Sequence, residues 1–343
     1  MAGVSPSVVS YVINNGPRPV SRATRTRVEA AIEALGYRPD SIASALRGGA
    51  TRAVGLLIPS PVNPFFAELA EVIERELHDA GYALSICITD DDAVRERLHL
   101  RMLTDRRVDG IIAVSSRALA TVLGTARTPV VTLDRVHGHT GISSVQVDNA
   151  RDAARAVEHL QSLGHRAIGC VAGPWPIQVV ADRVAGWRMQ QALIGAPNGR
   201  ELVAHGPFSA DGGSAAALAL LGAADRTRAV RPTALFVTSD AQAHGAMRTC
   251  SQLGLRIPQD VSIVSFDGTR SARYTQPALT TMRQPVREMG RAIVELLIAR
   301  VSSPALTPSS LTFRTNLVVG GTTGPRACQY STRGYLDELG LRV

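Results

Sequence analysis

Gly3-Val4-Ser5-Pro6-Ser7-Val8-Val9-Ser10-Tyr11-Val12-Ile13-Asn14 is the stretch from which the rest of this 343-residue chain is read. A serine able to cap a helix precedes a proline, and proline at the first helical position gives up an N–H that has no partner within the helix anyway. Val9, Val12 and Ile13 then fall at i, i+3 and i+4, the spacing of one apolar helix face. Ser7, Val8, Tyr11 and Asn14 are left to face outward. A short capped helix after a tight turn, apolar on one side and polar on the other, reads as the second helix of a helix-turn-helix, the element that enters the major groove of DNA.

The next segments extend that reading. Ser21 is placed to cap another helix whose apolar face is Val28, Ala31, Ile32 and Leu35, and Gly36 stands where a left-handed C-terminal residue belongs. Pro39 and Asp40 then open a short helix that Gly48-Gly49 ends. Val4-Ser5, Val9-Ser10 and Asn14, then Thr24-Arg25 with Val28, Leu35-Gly36-Tyr37 with Pro39, and Ala43 with Leu46-Arg47 follow one another in order. In this string the chain resembles the LacI/GalR family of bacterial transcription regulators. The resemblance implies that Pro6, Ser7 and Tyr11 read base edges and that Ser5, Asn14, Ser21 and Thr24 contact phosphates. It also implies that Ala43 and Leu46 belong to a hinge helix whose leucine wedges into the minor groove, unstacking a base step so that bent DNA wraps more protein. Proline at the first reading position has no donor, so Ser7 and Tyr11 must carry most polar readout. The family carries a further helix ahead of this turn, and the stretch from Met1 to Asn14 contains only the turn and the second helix. The first 38 residues therefore read as a partial DNA-binding domain.

Charge agrees with a polyanionic partner. The net charge is +8, and residues 1–52 hold seven arginines against Glu29, Glu33 and Asp40. Every basic residue other than histidine is arginine, a bias that codon usage in a GC-rich genome explains without any functional demand. Cys87, Cys170, Cys250 and Cys328 are scattered with no Cys-x-x-Cys spacing, the pattern of reduced cysteines in a cytoplasmic protein. No apolar run has membrane-spanning length.

From Ala53 the pattern changes. Ala53-Val54-Gly55-Leu56-Leu57-Ile58 is a continuous apolar run, as expected of a strand buried on both faces. Alternating helices and strands follow, and near Asp148 the cycle restarts. This predicts two doubly wound α/β lobes, each with a parallel sheet, behind a small all-α helix-turn-helix domain. The resemblance makes the core periplasmic-binding-protein-like, with three crossings between lobes. The expected divisions are a DNA-binding domain at 1–38, a hinge helix and linker at 39–52, an effector-binding core at 53–325 and a tail at 326–343. Within the core, the first lobe is expected to take 53–148 and 280–306, and the second 149–279 and 307–325.

Ligands of such sheets bind at the C-terminal ends of strands. Asn63, Phe65 and Phe66 follow the first strand, Asp134 ends the strand at 130–133, and Asp240 and Asp267 follow two strands of the second lobe. Arg183, within Arg-x-x-Gly-Trp, matches the arginine that reaches the effector in the family, with Trp187 packed behind it or beside the ligand. Carboxylates and a guanidinium beside aromatic rings suit a hydroxylated ligand, so a sugar or sugar derivative is expected. Ile177, Val179 and Ala181, with Trp175 nearby, stand where sugar-binding relatives can carry polar groups, a shift that speaks against a plain hexose and leaves room for a less polar effector. Each residue also admits a plainer role: Asp240 in a helix cap, Asp267 in a turn, Phe65 and Phe66 in the core.

An enzyme reading finds little. There is no Gly-x-Ser-x-Gly elbow, no Walker loop and no Gly-x-Gly-x-x-Gly after a first strand. His137 and His139 lack a carboxylate or cysteine cluster to complete a metal site, and Asp90-Asp91-Asp92 suits a helix start. No cofactor, metal or membrane association is expected. The expected partners are a pseudo-palindromic operator DNA, a small effector, and a second copy of the chain, with a tetramer as a further option. A sensor module with impaired DNA binding is the alternative, and a cleft enzyme the distant one.

Overall fold

The structure is a computed structural model describing residues 2–14, 16, 18–37, 50–114, 128–134, 141–222 and 231–326. The hinge helix expected at 39–52, with Ala43 and Leu46, falls almost wholly outside these residues, as do His137, His139 and the tail beyond 326. The chain divides into two units, Met1–Thr51 and Arg52–Val343.

In the first unit, helices α1 (Pro6–Asn14) and α2 (Arg22–Leu35) pack on each other. The Val8 and Val9 N–H groups donate to the Ser5 carbonyl, which makes Ser5 the residue that starts α1. Val12 from the apolar stripe and Val28 from α2 are buried. Arg25 ties the helices by donating to the Val12 carbonyl at 3.3 Å. Ser21 caps α2 by accepting from the Thr24 N–H, and Gly36 closes it at φ 56°.

In the second unit, lobe 1 is built on β1 (Ala53–Ile58), β2 (Ala83–Ile88), β3 (Gly110–Ala113), β4 (Val130–Leu133), β5 (Ser143–Val147) and β11 (Ser310–Phe313). Their order across the sheet is β11-β5-β4-β3-β1-β2, all parallel. Helices α3 (Pro64–Asp79), α4 (Ala93–Asp105) and α9 (Val286–Ser302) cover it. Lobe 2 is built on β6 (Ile168–Ala172), β7 (Val203–His205), β8 (Ala234–Val237), β9 (Ser262–Asp267), β10 (Thr280–Arg283) and β12 (Asn316–Val318). Here the order is β12-β10-β9-β8-β6-β7, parallel except for β12. Helices α5 (Asn149–Ser162), α6 (Gln178–Leu193), α7 (Ala210–Leu221) and α8 (Asp240–Gln252) flank this sheet.

The central strands are buried end to end, which is why they carry nearly continuous apolar runs rather than alternation, Thr132 being the one hydroxyl among these four strands. Gly186 shows how tightly the helices pack on them. A Cβ there would lie 2.0 Å from the Ala150 carbonyl oxygen, so only glycine lets α6 approach α5 this closely.

The division of the late chain between lobes differs from expectation. Residues 280–283 lie in the second lobe, where β10 pairs with β9, and 310–313 lie in the first, where β11 extends the sheet beyond β5. Only α9 between them follows the expected return. The reason is physical: the threonines of β10 are held by neighbours from their own lobe, Thr281 donating to Asp240 and the Thr280 N–H to Thr322. The mostly exposed edge strand β11 carries no apolar pattern that would show which sheet it joins, and a Ser310–Ser144 hydrogen bond joins it to lobe 1. The chain thus crosses between lobes at 147–149, 283–286 and 313–316. Asp152 and Arg155 on α5 clamp the third crossing through the Thr315 N–H and carbonyl. No helix among the described residues is long and apolar enough to cross a membrane.

Candidate functional site

On α1, Ser5, Pro6 and Ser7 are exposed and Tyr11 is half-buried. The side chain of Asn14 is outside the described set. Ser21 and Thr24 share a hydrogen bond of 2.9 Å at the exposed start of α2, where unpaired helix N–H groups and the positive end of the helix dipole favour an anion.

The larger site is the cleft between the lobes. Asn63 caps α3 by accepting from the Phe65 N–H, which turns Phe65 and Phe66 inward at the end of β1 with ring centroids 5.2 Å apart. With Asp134 they form the lobe 1 wall. Val179, Arg183, Phe208, Ser239 and Asp267 form the lobe 2 wall. The space these nine residues border is about 260 Å³ including its open side, and the part accessible to water holds about one molecule. Asn63, Phe66 and Phe208 also border a wider vestibule of about 780 Å³, whose lining adds Asp90, Asp91 and the prolines Pro59, Pro174 and Pro207.

Arg183 and Asp267 are the chemical centre. Arg183 is buried; its Nε donates to Asn149 Oδ1 at 2.8 Å and its Nη1 to the Thr238 carbonyl at 2.6 Å and to Asp267 Oδ1 at 3.5 Å. Its guanidinium carbon lies 3.9 Å from the centroid of the Phe266 ring. Nε and Nη1 thus carry the bonds to the described residues. Asp267 Oδ1 also accepts from Gln284 Nε2 at 3.0 Å. Burial pushes the Asp267 carboxyl up to about 8, with Arg183 opposing and the Asp240 and Asp134 charges adding to the rise. Asn149 and Gln284, which brace this pair, lie in the first and second crossings.

The chain conformation that presents the two acids is unusual. Asp134 has φ 64° and Asp267 φ 112°, and Gly268 follows at φ 68°. A Cβ on Gly268 would sit 2.3 Å from Arg283 Cα, so glycine is required for the close approach as well as for the turn.

Two expected site residues are placed elsewhere. Trp187 is fully buried and donates from Nε1 to the Ile168 carbonyl at 3.1 Å, which makes it part of the core behind the arginine. Asp240 is also fully buried and accepts four bonds, from Ser265, Thr281, the Thr269 N–H and the Thr269 hydroxyl. Burial raises its pKa against those donors. It organises the loop beyond β9 and does not line the cleft; the cap of α8 is Ser239. Phe65 and Phe66 belong both to the core and to the cleft wall.

Phe208, Asn149 and Gln284 were missed by the sequence reading. Phe208 follows a strand of only three residues, too short to show a period, and its one local signal is the Gly206-Pro207 turn ahead of the Ser209 helix cap. Asp92 caps α4 through the Val94 and Arg95 N–H groups, as the acidic run suggested. No cluster of metal-ligating side chains occurs among the described residues.

Comparison with known proteins agrees with both units. Residues 1–40 match the family described as bacterial regulatory proteins, lacI family, and residues 157–323 match the periplasmic binding protein-like domain. The HTH-type transcriptional repressor PurR of Photobacterium profundum is 34% identical over 310 residues, covering 88% of this chain and 90% of that protein. The crystal structure of the lac repressor dimer bound to operator and the anti-inducer ONPF is similar with a TM-score of 0.82 at 27% identity, covering 94% of this chain and 96% of that one. The complex of the transcriptional regulator CelR with cellobiose gives a TM-score of 0.72 at 30% identity over 94% and 97% of the two chains. These relatives are transcription regulators rather than enzymes. On the match of its DNA-reading segment and its two-lobed core alike, the chain belongs to the LacI family of bacterial transcriptional regulators.

Proposed function

We propose that this regulator binds a small hydroxylated effector, a sugar or sugar derivative, in the interlobe cleft, and that the effector sets its affinity for a pseudo-palindromic operator bound as a homodimer. The observation that carries the effector class is the Arg183–Asp267 pair, facing Asp134 and Asn63 across a chamber walled by Phe65, Phe66, Phe208 and Val179. Carboxylates and a guanidinium direct hydroxyl groups, and the rings and Val179 take the carbon face of a ring. Val179 puts an alkyl group where a hydroxyl partner would otherwise stand, which favours a derivative with one unsubstituted or capped face.

Pairing of two copies is supported by lobe 1. The edge strand β2 exposes Ile86 and Ile88, at 51% and 44% accessibility, and α4 exposes Val94 and Leu98, at 63% and 64%. Bare apolar side chains on an unpaired strand edge and a neighbouring helix are the composition of a protein interface rather than of a solvated face.

Calorimetric titration with cellobiose and with D-ribose, on the full chain and on Arg183→Met, tests the effector class. Heat with either sugar that disappears in the variant supports it; heat that persists undiminished in Arg183→Met overturns it. Anisotropy of an operator taken from the gene's own upstream region, followed through a salt titration with and without the sugar that binds, tests the regulatory half. A steep fall of affinity with salt marks phosphate contacts. An affinity that the sugar leaves unchanged overturns the coupling.

A further inference from the structure

A charged bridge joins the lobes away from the three crossings. Arg270 opens the short 3-10 helix Arg270–Tyr274 on lobe 2, and Glu68 and Glu71 lie one turn apart on α3 of lobe 1. The Arg270 N–H donates to Glu68 Oε1 at 2.6 Å, its Nε lies 3.8 Å from Glu68 Oε2, and its Nη2 donates to Glu71 Oε2. Arg75 holds the other Glu71 oxygen at 3.0 Å. Arg270 keeps the Glu71 carboxyl below the usual carboxylate range, with help from Arg75.

Both ends of this bridge are anchored to the cleft walls. Glu68 follows Phe65 by three residues on α3, so the helix turn that carries the aromatic wall also carries the clasp. Arg270 follows Asp267 by three residues. Between them Thr269 is fixed by two bonds to the buried Asp240, and just beyond them Ala272 is buried in the lobe 2 core. A shift of Arg270 relative to α3 therefore moves Asp267 relative to Phe65 and Phe66.

We infer that Arg270 is a positioning residue for the effector cleft, clasping lobe 2 to Glu68 and Glu71 of lobe 1 and so setting how readily the chamber opens. Isolated surface ion pairs contribute little, because ordering two long side chains and screening by salt offset the attraction. This one differs in kind. A main-chain N–H and a guanidinium engage two carboxylates, and the crossings already hold the partners at high effective concentration. The chamber in the clasped form has no room for a ring, so a ligand enters only as the lobes part. The inference rests on the effector reading for its purpose but not for its test.

That test measures interlobe distance without any ligand. Spin labels are placed at Glu74→Cys on α3 and Ala215→Cys on α7, both exposed helix positions on opposite lobes. Cys328 is replaced by serine, and the labelled chain is diluted into excess unlabelled protein so that only pairs within one chain report. Wild type gives one narrow distance distribution. Arg270→Ala lengthens and broadens it, as do Glu68→Arg and Glu71→Arg together, because either change removes the guanidinium–carboxylate contacts. In about 1 M NaCl, where the screening length is about 3 Å, wild type moves toward the Arg270→Ala distribution and that variant does not change. Because Arg270 is largely exposed, its loss leaves the fold intact, and circular dichroism checks this. An unchanged distribution in Arg270→Ala, or in Glu68→Arg and Glu71→Arg together, overturns the inference. Failure of sugar binding alone leaves this result standing.

Discussion

Replacing Arg183 by methionine keeps most of the side chain's volume and removes its charge. Two charge-assisted bonds disappear, to Asn149 and to the Thr238 carbonyl, each worth about 1.5–3 kcal/mol, together with a cation–ring contact worth about 0.5–2 kcal/mol. Relief of burying a guanidinium returns several kcal/mol. Near neutral pH the net loss is about 3 kcal/mol, at the low end for removing one member of a buried pair, because Asp267 already holds a proton there. The pH dependence is the sharper part. With a folded-state pKa of about 8 against an unfolded value near 3.9, Asp267 contributes stability that is present at low pH and declines as pH rises toward 8. Above that point wild type ionises against Arg183 and the decline stops. In the methionine variant no cation is left to accept that charge, so stability keeps falling by about 1.4 kcal/mol per pH unit. Urea unfolding of both proteins at about pH 6.5 and about pH 9.5 should therefore show a gap that widens by about 2 kcal/mol. In an Asp267→Asn background the widening should vanish. A gap of the same size at both pH values refutes the assignment of the buried titration to this pair.

Gly268→Ala should destabilise the core by about 3 kcal/mol or more, since a left-handed residue gains a Cβ that meets the Arg283 backbone, and thermal unfolding reads it directly. Ser21→Ala should cost about 1 kcal/mol of α2 stability, seen as faster amide exchange in its first turn, and should lower the salt slope of operator binding if Ser21 contacts a phosphate. Val179→Thr should tighten D-ribose binding several-fold by offering a hydroxyl inside the chamber, worth about 0.5–1.5 kcal/mol; unchanged or weaker binding in calorimetry would show that the apolar wall does not limit the ligand.

Much of the fold was legible because the core strands are buried on both faces. Ala53–Ile58 and Gly110–Ala113 announce themselves as apolar runs, and glycines and acids at their ends mark the turns. The late strands were not legible in the same way. Thr280–Arg283 and Ser310–Phe313 are stabilised by hydroxyl bonds to partners as far as 166 positions away, so nothing within either segment states its sheet. The cleft divides along the same line. Asn63, Phe65, Phe66, Asp134, Arg183 and Asp267 follow strands or sit in a recognisable motif, and all six reach the chamber. Asp240 satisfied the same strand-end rule and yet turned inward, because four donors converge on it. Of the two places open to Trp187, behind Arg183 or beside a ligand, the structure takes the first: its N–H finds a main-chain carbonyl within the core, and a ring so satisfied has no need of the cleft.

Arg183 and Asp267 do not wait in solvent for a ligand. Each is already engaged by a residue of a crossing segment, Arg183 by Asn149 and Asp267 by Gln284. Under the proposed effector reading, a hydroxyl that enters the chamber therefore has two ways to bind. It can use the remaining acceptor capacity of Asp267, which leaves the crossings as they are, or it can take over one of the braced bonds and shift the balance between interlobe arrangements in the same step. Only the second way changes the protein, because a ligand that contacts both arrangements equally shifts no equilibrium however tightly it binds. A tenfold coupling corresponds to about 1.4 kcal/mol, the worth of one such hydrogen bond, and reciprocity requires DNA to change effector affinity by the same factor. Exchange of the Asn149 or Gln284 bond for one to the ligand is thus sufficient in magnitude. On that proposal the coupling would lie at the two points where the chain passes from one lobe to the other.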